Sequence, residues 1–155
     1  MASCCPSSPA IFVIIARILA ADGRPVRARQ CYARALALAP SHPVAGPRLV
    51  SMVVEAGGGD GLVVGLRVCS RATQSDPQCI WALWRRAELA FRAARAAEAA
   101  EDREASHLVA VQSVQKLTRV LPLESAVWTL FARIARDAGR GGTASRAAMR
   151  AIAIE

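Results

Sequence analysis

The sequence predicts an all-α protein built from about four stacked helix hairpins. One pattern of residue sizes returns along the 155 residues: a bulky residue, an apolar-small pair, and an alanine-rich second helix that ends before proline. Hydrophobic residues make up 54% of the chain and aromatic residues only 5%, a composition that favours close helix packing over strands. Because one hairpin cannot bury its apolar face alone, we expect the hairpins to stack.

The first hairpin has the clearest boundaries. Pro9 is typical of a first helical position, and we expect a helix over 9–21, a turn at Asp22-Gly23, and a return helix over 25–39. Pro40 and Pro43 cannot continue that helix, so they mark the boundary to the next hairpin.

The later hairpins carry longer connections. The glycine-rich run 57–61 should separate a helix over 44–56 from one that ends near Ser75. In the third hairpin the extra residues 93–106 are strong helix formers, which predicts that one or both helices run past the usual turn. We therefore expect a flexible N-terminus over 1–8 and a repeat domain over 9–155, with repeats at about 9–40, 43–77, 80–122 and 125–155.

This order of sizes resembles that of tetratricopeptide repeats. The first copy of the pattern consists of Phe12, Ile15-Ala16, Leu19, Gly23, Ala28, Tyr32 and Pro40. The fourth copy consists of Trp128, Phe131-Ala132, Ala135, Gly139, Ala144 and Ala151. The resemblance implies a tetratricopeptide-repeat superhelix of degenerate repeats that holds protein partners.

Several blocks are also similar to the large tetratricopeptide subunit of the Ski complex, particularly its plant form. In colinear order they are 46–51, 81–89, 110–115 and 128–139, followed by 143–144 and 150–152. This resemblance implies a non-catalytic cytoplasmic scaffold that joins the Ski helicase to a WD40 subunit. Its implied role is to help feed RNA to the exosome for decay from the 3′ end.

The formal net charge of +8 is carried almost wholly by arginine, since Lys116 is the only lysine. Projection of the first helix of each hairpin places five arginines on the inner surface of the stack, off the apolar stripe. They are Arg17, Arg85, Arg92, Arg133 and Arg136. A basic groove suits an acidic peptide or a phosphate backbone, whereas the alternative is an ordinary solvated helix face.

No residue pattern predicts an enzyme, a cofactor or a metal site. The glycines of 57–61 lack the lysine of a phosphate-binding loop and the spacing of a dinucleotide fingerprint. His42 is expected to be a solvated loop residue, and His107 lies in no pattern that would activate a nucleophile. The cysteines form no C-x-x-C pair, and Cys31 and Cys69 are expected to be buried packing residues. Trp81, Trp84 and Trp128 are expected to be packing residues.

Residues 10–16 are apolar, but Arg17 interrupts the run well short of a membrane span. We therefore expect no membrane association. The resemblance to the Ski subunit implies a cytoplasmic protein, a nuclear pool being compatible with this. Because Asp22 is the sole acidic residue among the first fifty, an organelle-targeted repeat protein, mitochondrial for example, is the alternative.

The fourth repeat has no polar helix after it. Ala148, Met149 and Ile152 should then form an exposed apolar face, which predicts self-association unless a partner covers it. A further alternative to the scaffold is a truncated remnant with no assembled role.

Overall fold

The computed structural model describes residues 8–57 and 60–154, and within them the secondary structure is helical. Of the expected flexible N-terminus, residues 1–7 lie outside this description. The helices are α1 (Pro9–Ala21), α2 (Pro25–Leu38), α3 (Ala45–Glu55), α4 (Gly61–Ser75), α5 (Ile80–Ala96), α6 (Ala100–Val120), α7 (Ser125–Asp137) and α8 (Gly141–Ile154). They belong to two compact units, Met1–Pro77 with α1 to α4 and Gln78–Glu155 with α5 to α8.

None of the helices in 8–57 and 60–154 combines the length and hydropathy that a membrane span requires.

Unit 1 is held together by contacts between consecutive helices, α1 with α2, α2 with α3, and α3 with α4. Its buried cluster joins the first three helices through Val13, Ala16, Tyr32, Ala35, Leu36, Ala45 and Leu49. Small residues alternate with large ones in this set, so the helix backbones approach closely while Tyr32, Leu36 and Leu49 fill the space between them. The burial of apolar surface between hairpins is what the repeat pattern predicted.

The first and fourth hairpins turn in the same way. Gly23 follows α1 with φ of 70° and Gly139 follows α7 with φ of 73°, the left-handed conformation that side chains disfavour. The next residue closes the motif: Arg24 N–H donates to the Leu19 carbonyl at 2.9 Å, and Arg140 N–H donates to the Ala135 carbonyl at 2.8 Å. This is the Schellman arrangement, which satisfies carbonyls at the helix end.

His42 has a structural role that its expected place in a solvated loop did not predict. Its ring is half-buried, and Nδ1 accepts the backbone N–H groups of Val44 and Ala45, each at 3.2 Å. These groups lie at the start of α3, where N–H groups have no partner within the helix. The imidazole therefore caps α3.

In unit 2 the extra residues of the third hairpin lengthen both of its helices. Helix α5 has 17 residues and α6 has 21, and the break between them falls at 97–99. The Arg103 guanidinium donates to the Ala97 carbonyl at 3.0 Å and so bridges this break. The helix-forming composition of 93–106 thus continues the helices on both sides of one short turn.

Helix α6 contacts α7, and a polar pair lies between them. His107 Nε2 is 2.9 Å from Asp137 Oδ2, with the His107 side chain only 11% exposed and that of Asp137 38% exposed. On the same helix, the fully buried Ser113 donates its hydroxyl to the Val109 carbonyl at 2.8 Å. No sequence pattern indicated that His107 would have a carboxylate partner, because the two residues are far apart in the chain.

Candidate functional site

A cavity of about 310 Å³ lies between α5 and α7, the first helices of the two hairpins of unit 2. Its wall combines an apolar floor with charged sides. The lining residues are Arg85, Glu88, Leu89, Phe91, Arg92 and Arg95 from α5, with Leu130 and Arg133 from α7. We call this surface the α5–α7 groove. It presents four guanidinium groups and one carboxylate.

Phe91 forms the centre of the α5–α7 groove. Its side chain is 9% exposed, and the guanidinium carbons of Arg95 and Arg133 each lie 6.0 Å from the centre of its ring. That distance is at the outer edge of a cation–π contact. Because Arg95 comes from α5 and Arg133 from α7, guanidinium groups from both helices lie near this ring.

Glu88 is the one acidic residue in this lining. Its Oε1 accepts the indole N–H of Trp84 at 2.9 Å, and its Oε2 accepts from Arg85 at 3.2 Å. The two contacts fix the carboxylate along the α5 surface, and they neutralise Arg85 more than the other arginines of the groove. Arg92 and Arg133 form no ion pair with any residue in 8–57 or 60–154, so their charge is available to a ligand.

Three of the five arginines that the sequence placed on one surface come together in the α5–α7 groove: Arg85, Arg92 and Arg133. Arg136 is exposed in the last turn of α7 and does not line the cavity, and Arg17 is exposed on α1 in unit 1. The basic surface described in unit 2 is therefore made from α5 and the middle of α7.

Sequence reasoning missed two charged members of the groove, Glu88 and Arg95. Arg95 belongs to the helix-forming stretch 93–106, which lengthens the third hairpin, and Glu88 stands in the third hairpin at the position that Ala16 has in the first. The signal for Arg95 was its spacing, because it lies one turn after Arg92 and Phe91 on the same helix.

A second cavity, of about 520 Å³, lies beside the His107–Asp137 pair. Its polar lining consists of Arg103, Glu104, His107, Asp137 and Arg140. Two arginines face two carboxylates here, so the lining has no strong excess of either charge. This cavity favours no ligand class.

The cysteines differ in part from expectation. Cys69 is buried as predicted, but Cys31 is only half-buried, since it packs at the edge of the unit 1 cluster; Cys4 and Cys5 lie outside the described residues. Within 8–57 and 60–154 no three metal-ligating residues form a group. The tryptophans are half-buried, and the indole N–H of Trp128 donates to the Pro122 carbonyl at 2.9 Å.

The chain is similar to solved structures over nearly its whole length. TTC0263, a thermophilic TPR protein of Thermus thermophilus, matches with a TM-score of 0.68 and 20% identity, over 96% of this chain and 75% of its own. MamA of Desulfovibrio magneticus RS-1 gives 0.67 and 17%, over 96% and 76%, and another MamA structure gives 0.72 and 13%, over 97% and 74%. No family model and no curated protein matches the chain. The likeness confirms the predicted all-α tetratricopeptide-repeat fold.

Proposed function

We propose that this chain is a non-catalytic scaffold for protein–protein interaction, and that its α5–α7 groove binds an acidic segment of a partner protein. The observation that carries the proposal is the pair Arg95 and Arg133 over the ring of Phe91, with Arg92 in the same cavity lining. An interaction role is the usual function of stacked helix hairpins, whose first helices offer an extended surface.

The chemistry of the α5–α7 groove favours carboxylates with an apolar neighbour. Each guanidinium presents a planar fork of donors that pairs with carboxylate in two-point geometry. Leu89 and Leu130 line the floor between the charges, where an apolar side chain of the ligand would be removed from water. A segment that alternates acidic and apolar residues satisfies both parts of the surface.

Fluorescence anisotropy with a labelled peptide of alternating glutamate and leucine tests the proposal. A peptide with glutamine in place of glutamate is the control for charge. We expect the glutamate peptide to bind more tightly and Arg133→Gln to weaken it about fivefold, corresponding to about 1 kcal/mol. Arg119→Gln, which removes an exposed arginine of α6 outside the groove, should leave binding unchanged.

Two results would contradict the proposal. Equal affinity for the two peptides would show that the arginines do not select carboxylates. Tighter binding of single-stranded RNA than of the glutamate peptide, lost in Arg133→Gln, would assign the groove to phosphate instead.

The resemblance to the large Ski subunit supports a more specific form of this proposal. In that form the chain is a cytoplasmic scaffold of messenger RNA decay, with a helicase and a WD40 protein as partners and the exosome downstream. The support is the colinear blocks, such as 81–89 and 128–139, the first of which contains Arg85 and Glu88. Affinity purification of the tagged chain followed by mass spectrometry should recover both partners, and recovery of neither would overturn this form while leaving the peptide test intact.

A further inference from the structure

Helix α1 has an exposed apolar stripe that is not part of the α5–α7 groove. Ile11, Ile14, Ile15 and Ile18 follow the helical spacing of one face, and their exposures are 42%, 57%, 41% and 56%. The opposite face of α1 buries Val13 and Ala16. The helix is therefore apolar on two sides, and one of them is not buried by the part of unit 1 that the structure describes, residues 8–57 and 60–77.

The fourth hairpin shows what normally covers this face. Helices α1 and α7 both have 13 residues, α2 and α8 both have 14, and the turns at Gly23 and Gly139 match, so residues correspond one to one. The counterparts of the four isoleucines are Val127, Leu130, Phe131 and Ile134, which are exposed by only 0%, 7%, 8% and 0%.

The cover of α7 comes from the hairpin before it. Helix α8 packs on α7 within the fourth hairpin, as α2 packs on α1 within the first. The second helix of the hairpin therefore cannot explain why the face of α7 is buried and that of α1 is exposed. Helix α6 contacts α7, and α5 shares with it the cavity that contains Leu130. The stripe on α1 thus corresponds to the face of α7 on which the preceding hairpin packs.

Helix α8 offers the complementary face. Met149 and Ile152 are 70% and 73% exposed. By the same correspondence Ile152 matches Leu36 of α2, which is 7% exposed and lies in one buried cluster with Ala45 and Leu49 of the following helix α3. The surface around Ile152 is therefore the one that, in unit 1, packs on the next hairpin.

We propose that two copies of this chain associate head to tail, with α8 of one copy packed on the α1 stripe of the next. Ile152 would then repeat the contact that Leu36 makes with α3. The interface is heterologous, because the two faces differ, so each added copy leaves one face of each kind exposed and assembly continues with concentration.

Three variants of the full chain test the proposal by sedimentation velocity. Ile18→Glu charges the α1 stripe, Ile152→Glu charges the α8 face, and Leu123→Glu is the matched control, since Leu123 is 74% exposed in the loop before α7 and belongs to neither face. Ile14→Glu is a second variant of the stripe in case the first unfolds, and helicity measured by circular dichroism checks each. We expect the wild type and Leu123→Glu to assemble as concentration rises, and each face variant to do so about tenfold or more weakly.

The decisive sample is an equal mixture of Ile18→Glu and Ile152→Glu. Each variant retains the face that the other lacks, so the mixture should form a one-to-one dimer that does not grow. A wild type that stays monomeric at the highest concentration would overturn the proposal. So would Ile152→Glu dimers as stable as wild-type assemblies, because they would show that α1 pairs with α1.

Discussion

The ring of Phe91 on α5 and the guanidinium of Arg133 on α7 lie 6.0 Å apart, measured from the ring centre to the guanidinium carbon. This contact joins the first helices of consecutive hairpins at the surface proposed to bind a partner. The contact places the positive charge of Arg133 at the edge of the α5–α7 groove, where no described acidic residue pairs with it. The same residues thus contribute to packing between hairpins and to the charge of the groove.

A double-mutant cycle measures the contact directly. Phe91→Leu and Arg133→Gln, made singly and together, should show a coupling of about 1 kcal/mol in the free energy of unfolding, because the ring is largely buried and the guanidinium is attracted to its face. The control cycle pairs Phe91→Leu with Arg136→Gln, one turn along α7. A coupling equal in both cycles would mean that the Phe91–Arg133 contact is not specific.

Removing the single carboxylate of the groove should strengthen ligand binding. Glu88→Gln keeps an oxygen that can accept the Trp84 indole N–H, but it removes the negative charge next to Arg85. We expect the glutamate peptide to bind about threefold to fivefold more tightly in anisotropy titrations. Glu124→Gln, in the loop before α7, is the matched control and should change nothing. Weaker binding in Glu88→Gln would show that Glu88 positions the arginines instead of competing with the ligand.

Replacing a turn glycine by alanine should destabilise the protein because of the backbone conformation at that position, even though there is room for the added methyl group. Gly139 has φ of 73°, and an added Cβ would meet nothing within 4 Å. Gly139→Ala should therefore lower the free energy of unfolding by about 1 kcal/mol through backbone strain alone. Gly142→Ala, inside α8 and equally uncrowded, should be neutral or stabilising by up to about 1 kcal/mol. Urea unfolding compares the two, and equal effects would contradict this explanation.

The polar pair between α6 and α7 should contribute to the stability of unit 2. Asp137→Ala leaves the His107 imidazole, which is 11% exposed, without its partner, and we expect a loss of about 1 kcal/mol in urea unfolding. Asp22→Ala is the control, because Asp22 directly follows the last residue of α1 and Asp137 is the last residue of α7, so both carboxylates oppose a helix dipole. An equal change in the free energy of unfolding in both variants would show that the effect comes from the carboxylate at the helix end and not from the contact with His107.

Local signals predicted most of the fold. Pro9 and the turn at Asp22-Gly23 set the observed bounds of α1, because proline fits the first helical position and glycine fits the left-handed residue after a helix. The composition of 93–106 likewise predicted the long third hairpin, because the helix propensity of a residue is a local property.

The parts that escaped prediction depend on contacts between distant residues. Asp137 meets His107 only after α6 and α7 have packed, and nothing near either residue in the chain marks the pair. Helical projection grouped Arg85, Arg92 and Arg133, and these three line one cavity. It could not separate Arg136, which lies off the cavity, because projection does not show which part of α7 lies opposite α5.

The most direct test of the proposed groove is a titration of the isotope-labelled protein with the glutamate peptide, followed through the arginine side-chain Nε–H signals in NMR spectra. We predict that the signals of Arg92, Arg95 and Arg133 shift together and saturate at one ligand per chain, while those of Arg17 and Arg146 stay in place. Equal shifts over all arginines, or shifts confined to residues outside α5 and α7, would contradict the account.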